Sequence, residues 1–289
     1  MSFTTCIDTV TLATALDDPA CAIVDCRFAL NDLAWGEEAY EKSHVPGAVY
    51  AHLERDLSGA PSGSNGRHPL PDPWRLAVSL GQLGIAAGVQ VVAYDQDAGS
   101  YASRLWWLLR WLGHDAVAVL DGGFAAWESA GRPTRAGRES RPPRRFDAHV
   151  RHQMVADTAM VETMRVRHDW RLVDARAPER FRGDVEPIDR VPGHIPGAVN
   201  HFFKNNLNDQ GVFRSGGALR RAWVETLGGV DAAHTICYCG SGVTACQNLL
   251  AMERAGLSGA RLYVGSWSEW ASDPGRMVGR GNEGKVEKS

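Results

Sequence analysis

What this sequence does not contain narrows it first. No apolar run is long enough to span a bilayer; the strongest candidate, around Leu105–Leu112, is cut by Arg104 and Arg110. The start, Met1-Ser-Phe-Thr-Thr-Cys6, has no basic stretch followed by an apolar one, so no secretory leader is expected. There is no excess of positive charge: 31 Lys and Arg against 34 Asp and Glu leave a net charge of −3, and no basic stripe points to nucleic acid. Cysteine is scarce and irregularly placed. Cys6, Cys21, Cys26, Cys237, Cys239 and Cys246 show no Cys-x-x-Cys pair and no accompanying His-x-x-x-His, which argues against a disulfide framework and a closed zinc site. The expectation is a cytoplasmic chain with no metal, no cofactor, and neither nucleic acid nor membrane as partner. Its 289 residues, 44% of them hydrophobic, suffice for two separate cores.

The chain is written twice. Ala22-Ile-Val-Asp-Cys-Arg27 returns as Arg171-Leu-Val-Asp-Ala-Arg176, and Ser43-His-Val-Pro-Gly-Ala-Val49 as Gly193-His-Ile-Pro-Gly-Ala-Val199. Val91-Val-Ala-Tyr-Asp95 stands opposite Ile236-Cys-Tyr-Cys239, and Leu120–Trp127 opposite Tyr263–Trp270. One order and one long offset mean two copies of a domain and not a solenoid. Short apolar runs (Ala22–Val24, Val91–Tyr94, Ala116–Leu120; Leu172–Val173, Thr235–Tyr238, Ala260–Val264) read as buried strands, with helical spacing between them over Ser103–Leu112 and Thr244–Ala255. Strands alternating with helices predict an α/β fold in which each copy is a mostly parallel sheet with helices on both faces. The boundaries expected are 1–135 for the first domain, a solvated Arg-, Pro- and Gly-rich linker at 136–149, 150–275 for the second domain, and a frayed tail at 276–289.

One segment carries chemistry: Thr235-Ile-Cys-Tyr-Cys239-Gly-Ser-Gly-Val-Thr-Ala-Cys246. An apolar strand runs into Cys239, then a loop of small residues, then a helix beginning near Val243. Gly240 and Gly242 allow successive N–H groups to turn inward as an anion-binding nest, and the helix directs its positive end at the sulfur. Both features favour thiolate, the nucleophilic form. Cys237, in the strand, and Cys246, in the helix, read as core.

These motifs resemble the tandem-domain rhodaneses, a family of thiosulfate and 3-mercaptopyruvate sulfurtransferases, over about Asp25 to Trp270. The Cys239–Cys246 loop is the most specific element, supported by Asp174–Gly183, Gly193-His-Ile-Pro-Gly197 and Gly265–Trp270. The resemblance implies that the second domain is catalytic and the first inactive, since Asp95 stands where the second copy has Cys239. It implies sulfur transfer through a Cys239 persulfide, from 3-mercaptopyruvate or thiosulfate to a thiol, thioredoxin or cyanide. It further implies a relay of His68, from Gly66-Arg-His68-Pro-Leu-Pro71, with Ser241 and an acid. That acid aligns as Glu54, with Asp56 and Asp72 as competitors. Donor binding falls to Arg180 and, less well matched in spacing, Arg190, together with the loop residues Gly240, Gly242, Val243 and Thr244; Arg182 reads as a surface ion pair.

Two other readings compete. A cysteine phosphatase needs a longer loop closed by an arginine, whereas this one closes at Thr244-Ala245. A non-enzymatic sulfur-carrier or interaction module is the other alternative. His44 and His194, present in both copies, are expected to serve the fold, and Trp267 and Trp270 to pack. The neutral Gly-Ser-Gly loop suits a monocarboxylate such as 3-mercaptopyruvate better than a dianion.

Overall fold

The computed structural model describes residues 2–96 and 99–282. The chain folds as two units, one drawn from residues 2–59, 71–151 and 209–213, the other from 60–70, 152–208 and 214–282. The first contains β1 (Cys6–Ile7), β2 (Cys21–Asp25), β3 (Val49–Tyr50), β4 (Gln90–Tyr94) and β5 (Val117–Leu120), in the sheet order β1-β5-β4-β2-β3. The second contains β6 (Val155–Ala156), β7 (Arg171–Asp174), β8 (Val199–Asn200), β9 (Thr235–Tyr238) and β10 (Arg261–Tyr263), in the order β6-β10-β9-β7-β8. Every neighbouring pair is parallel. Parallel strands covered on both faces have no polar side, so β2 and β9 are buried at every position and are apolar but for Asp25 and Thr235.

The repeated residues do the same work twice. Register sets Asp25 beside Tyr94 and Asp174 beside Tyr238. Asp25 accepts from Arg27 at 2.6 Å, and Asp174 from Arg176 at 2.7 Å. Each arginine also donates to a carbonyl, Ser43 O or Gly193 O, so both buried charges are paired and hydrogen-bonded. His44 and His194 are fully buried, with Nδ1 2.7 Å from Tyr40 O and 2.8 Å from Phe181 O. Each stacks on the ring of that same partner residue. Trp127, Trp267 and Trp270 are buried, with their Nε1–H groups on carbonyl oxygens of Pro133, Val191 and Met277. Truncating any of them to alanine costs about 3–5 kcal/mol.

Two segments depart from expectation. Residues 136–149 have no regular structure, yet they are laid on the first unit and are not a solvated tether. Gly137, Arg144 and His149 donate backbone N–H groups to Glu41, Gly81 and Leu112 carbonyls, and Phe146 is buried. The segment after Pro274, expected to fray, is held as far as Gly281. Gly279 exchanges both backbone hydrogen bonds with His194, and Gly281 N–H donates to Arg182 O. Backbone pairing needs no side chain to bury, and this composition gave no sign of it. Residues 283–289 of the expected tail lie outside the described residues. Among the described residues no helix is long and apolar enough to cross a membrane.

Candidate active site

In the second unit β7 connects outward to β8, while β9 leads to β10 on the opposite side. The carboxyl end of β9 is therefore at the point where the sheet changes winding direction, the place where open α/β sheets bind ligands. Cys239 is the first residue beyond β9, and the helix Thr244–Arg254 begins five residues later.

Residues of the Gly265–Trp270 segment fix this loop. Cys239 N–H donates to Ser266 Oγ (3.1 Å), while Cys239 O and Gly240 O accept from Trp267 N–H (3.0 Å) and Ser268 N–H (2.9 Å). Ser266 is the one non-glycine residue with positive φ (54°) among the described residues, and its hydroxyl also donates to Tyr263 O. Such a conformation costs on the order of 1–3 kcal/mol and persists only where surroundings enforce it. Gly242 has φ +74°, and a Cβ there would lie 2.3 Å from Val264 O, so no other residue fits. Val243, the residue before the helix, provides no side-chain cap. The first helical N–H groups consequently face the loop as anion receptors.

Cys239 is buried. Cys237 packs against Met252, and burial pushes its thiol far above the ordinary range. Cys246 Sγ lies 3.3 Å from Gly242 O inside the helix. In the first unit, the residue after β4 is a carboxylate that takes N–H groups following it. Asp95 is fully buried and accepts from the N–H groups of Gly99 (2.9 Å), Tyr101 (2.7 Å) and Ala102 (3.0 Å).

The segment Gly66–His68, which the sequence placed in the first domain, packs in the second unit. Gly66 (φ +86°) rests on the backbone of Gly265, and Arg67 N–H donates to Ser268 Oγ at 3.0 Å. His68 Nδ1 is 2.7 Å from Ser241 Oγ, both residues being buried. Arg180 also reaches the loop. The three atoms nearest a Cβ built on Gly240 are Arg67 Nη2 at 3.2 Å and the two Arg180 Nη atoms at 3.7 and 3.8 Å. Asp189 joins the two arginines, 2.8 Å from Arg67 and 3.2 Å from Arg180. Glu186 joins Arg180 (2.6 Å) to the buried Arg176 (3.2 Å), so alternating charges run from Asp174 in the sheet to Arg67 over the loop.

Other expected residues are elsewhere. Arg190 is exposed, and Arg182 forms the surface pair with Asp184 at 2.8 Å. Glu54 belongs to the first unit, is exposed, and donates its N–H to His52 Nδ1 at 3.2 Å. Asp56 accepts from His52 N–H, and Asp72 caps the helix Pro73–Gln82 through Trp74 and Arg75 N–H. Sequence reasoning passed over Arg67, Asp189 and Ser266. The only cue for Arg67 was its place directly before His68.

The arrangement offers a buried thiol before an uncapped helix start, a His–Ser pair on the same loop, and two guanidinium groups for an anion. A family model described as rhodanese-like domain matches residues 8–130 and again 157–273. A Pseudomonas aeruginosa protein named "Probable 3-mercaptopyruvate sulfurtransferase" is 47% identical over 274 residues, covering 94% of this chain and 96% of its own. A thiosulfate sulfurtransferase of Rattus norvegicus is 33% identical over 278 residues, with 93% and 91% covered. The crystal structure of a 3-mercaptopyruvate sulfotransferase from Escherichia coli superposes with a TM-score of 0.80 at 30% identity, covering 92% of this chain and 99% of that one.

Proposed function

Since the chain belongs to the rhodanese-like family and is a sulfurtransferase, we propose that Cys239 carries the sulfur as a persulfide, taken by preference from 3-mercaptopyruvate. The observation that carries this reading is the position of Cys239 at the end of β9, in a loop shaped by Gly242 and faced by Arg180 and the His68–Ser241 pair. The thiolate attacks the sulfur of the donor. The donor's C–S bond breaks, its electron pair passes to the enolate of pyruvate, and a proton is then taken up at carbon. With thiosulfate the S–S bond breaks and sulfite leaves with the pair. A small thiol, thioredoxin or cyanide next attacks the outer sulfur, and Cys239 leaves as thiolate, completing a two-step covalent route.

In this reading the N–H groups of Gly240, Gly242, Val243 and Thr244 hold the negative charge of the donor, and the Arg180 fork takes its carboxylate. His68 and Ser241 pass the proton; Glu54 as the relay's acid rests on the resemblance alone. Cyanide as acceptor serves the assay as well as any physiological thiol. A cytoplasmic, reducing compartment suits a chain whose six cysteines form no disulfide. The test is mass spectrometry of protein mixed with either donor and no acceptor. Wild type should gain one sulfur atom, Cys237→Ser and Cys246→Ser should do the same, and Cys239→Ser should gain none and turn over neither donor. Appreciable sulfur transfer by Cys239→Ser refutes the assignment.

A further inference from the structure

The helix Thr244–Arg254, whose first turn faces the Cys239 loop, is buried along most of its length, and one of its buried residues is an asparagine. Asn248 belongs to a hydrogen-bonded group that no step of the proposed reaction uses. Asn206 Nδ2–H donates to Asn248 Oδ1 (2.7 Å), and Asn248 Nδ2–H donates to His201 O (2.9 Å). Trp223 Nε1–H, which can only donate, reaches Asn206 Oδ1 at 3.0 Å, so the Asn206 amide has one orientation. His201 Nε2–H donates to the same oxygen (3.2 Å), leaving Nδ1 facing the Thr226 hydroxyl at 2.8 Å. We propose that Asn248, Asn206 and His201 are positioning residues for Cys239: together they fix where the helix Thr244–Arg254 starts, and with it the N–H groups turned to the loop. The inference rests on the reading that Cys239 takes up sulfur.

The two copies differ at this place. His201 N–H donates to Asp174 O (3.0 Å), and its counterpart Ala51 N–H donates to Asp25 O (2.9 Å). Counted back seven residues from the C-caps Ala255 and Leu112, Asn248 corresponds to Leu105. The first copy thus has Ala51 and Leu105, both buried, where the second has His201 and Asn248. Asp56, in the place of Asn206, turns back to His52 N–H. Apolar side chains therefore suffice to hold such a unit together, and the polar group occurs in the copy whose loop bears the cysteine.

Burying amides and an imidazole is costly unless each is paired, so stability alone does not account for the exchange. What the network adds is direction. Apolar contact is non-directional and lets a helix slide, whereas a satisfied set of hydrogen bonds admits one arrangement. Asn206, Trp223 and Asn248 are fully buried and His201 is nearly so, which keeps water from competing for these bonds. The Asp174 carboxylate, at the strand end that receives His201 N–H, also starts the run of charges through Arg176 and Glu186 to Arg180. The helix start and the anion-facing arginine are thereby tied to one strand end.

The experiment measures the first-order rate of sulfur uptake by Cys239 from saturating 3-mercaptopyruvate, without acceptor, by quenched mass spectrometry. Asn248→Leu installs the residue of the first copy, and Trp223→Phe removes one donor to Asn206 and leaves the rest. Val161→Ala, in the apolar core of the second unit, is the reference for lost stability alone. The rate constant does not depend on the folded fraction, which enters only the amplitude. Asn248→Leu should slow uptake on the order of tenfold, as expected when a reacting group is misplaced. Trp223→Phe should slow it severalfold. The donor concentration for half-maximal rate should change by less than about twofold in both, since the pairs of Arg180 with Glu186 and Asp189 are untouched. Val161→Ala should lower Tm and keep the wild-type rate constant. A wild-type rate constant in Asn248→Leu overturns the proposal, as does an equal loss in Val161→Ala. If Asn248→Leu yields no folded protein, Trp223→Phe decides on the same terms. Failure of the underlying reading looks different: wild type itself then acquires no sulfur from either donor.

Discussion

Replacing Gly66 by alanine tests whether the loop bearing Arg67 and His68 must lie flat on the backbone of Gly265. Gly66 has φ +86°, and a Cβ there would lie 2.7 Å from Gly265 O and 3.0 Å from Gly265 Cα. The left-handed conformation costs an alanine about 1–2 kcal/mol. The contact is with backbone and cannot rotate away, so the loop must rise by about 0.7 Å to restore the 3.4 Å of ordinary contact. His68 follows two residues later, its Nδ1 2.7 Å from Ser241 Oγ. A displacement of that size takes the pair to the edge of hydrogen bonding. Misplacement of a catalytic group by such distances can cost on the order of ten- to a hundredfold in rate. Gly63→Ala is the matched control, because Gly63 has φ +85° and nothing within 4 Å of its Cβ position. Both variants should lose a few degrees in Tm from shared strain. Only Gly66→Ala should lose kcat/KM for 3-mercaptopyruvate by tenfold or more. Activity of Gly66→Ala within twofold of Gly63→Ala would refute the reasoning.

Two further outcomes are expected. Ser241→Ala or His68→Ala should depress 3-mercaptopyruvate turnover far more than thiosulfate turnover, because the pyruvate enolate must gain a proton whereas sulfite leaves as a stable anion; equal losses count against a relay. His201 in the second unit is buried between Thr226 and Asn206, and burial lowers its pKa from the ordinary 6.5 to about 4. The unfolded chain thus binds a proton below pH 6.5 that the folded one refuses until about pH 4. Stability is fully present above pH 6.5 and falls with pH through that window, by about 3 kcal/mol at 1.36 kcal/mol per pH unit. Urea unfolding at pH 7 and pH 4.5 should show that loss in wild type and less of it in His201→Gln; equal slopes would remove His201 as its source.

Much of the fold was legible because parallel strands bury both faces and so write themselves as apolar runs such as Cys21–Val24 and Ile236–Tyr238. The repeat added its own check: His44 and His194 occur in both copies, and both are hydrogen-bonded inside the fold. The place of Cys239 between β9 and the helix Thr244–Arg254 was legible from local grammar, a strand, a small-residue loop and a helix in sequence. What escaped was made by long-range approach. Nothing near Arg67 says that its guanidinium borders Gly240, or that residues 60–70 pack with the second unit. Ser266 escaped for a related reason, since its strained backbone is imposed by the loop it supports and a serine in sequence does not announce a positive φ. The docked segment ending at Gly281 is held by backbone hydrogen bonds, which composition does not encode.

The carboxylate of Asp95 gives the two copies different thermodynamics. The first unit contains the anion its loop is shaped for, covalently attached and present at every concentration. The N–H groups of Gly99, Tyr101 and Ala102 are therefore already taken, and a small anion should gain little from them. The helix Thr244–Arg254 has no side-chain cap of its own, so any anion received by the Cys239 loop stabilises the second unit by RT ln(1 + [L]/Kd). A hundredfold excess over Kd is worth about 2.7 kcal/mol. On the reading proposed above, resistance of the second unit to heat and proteolysis should rise with the supply of donor, while that of the first unit should not.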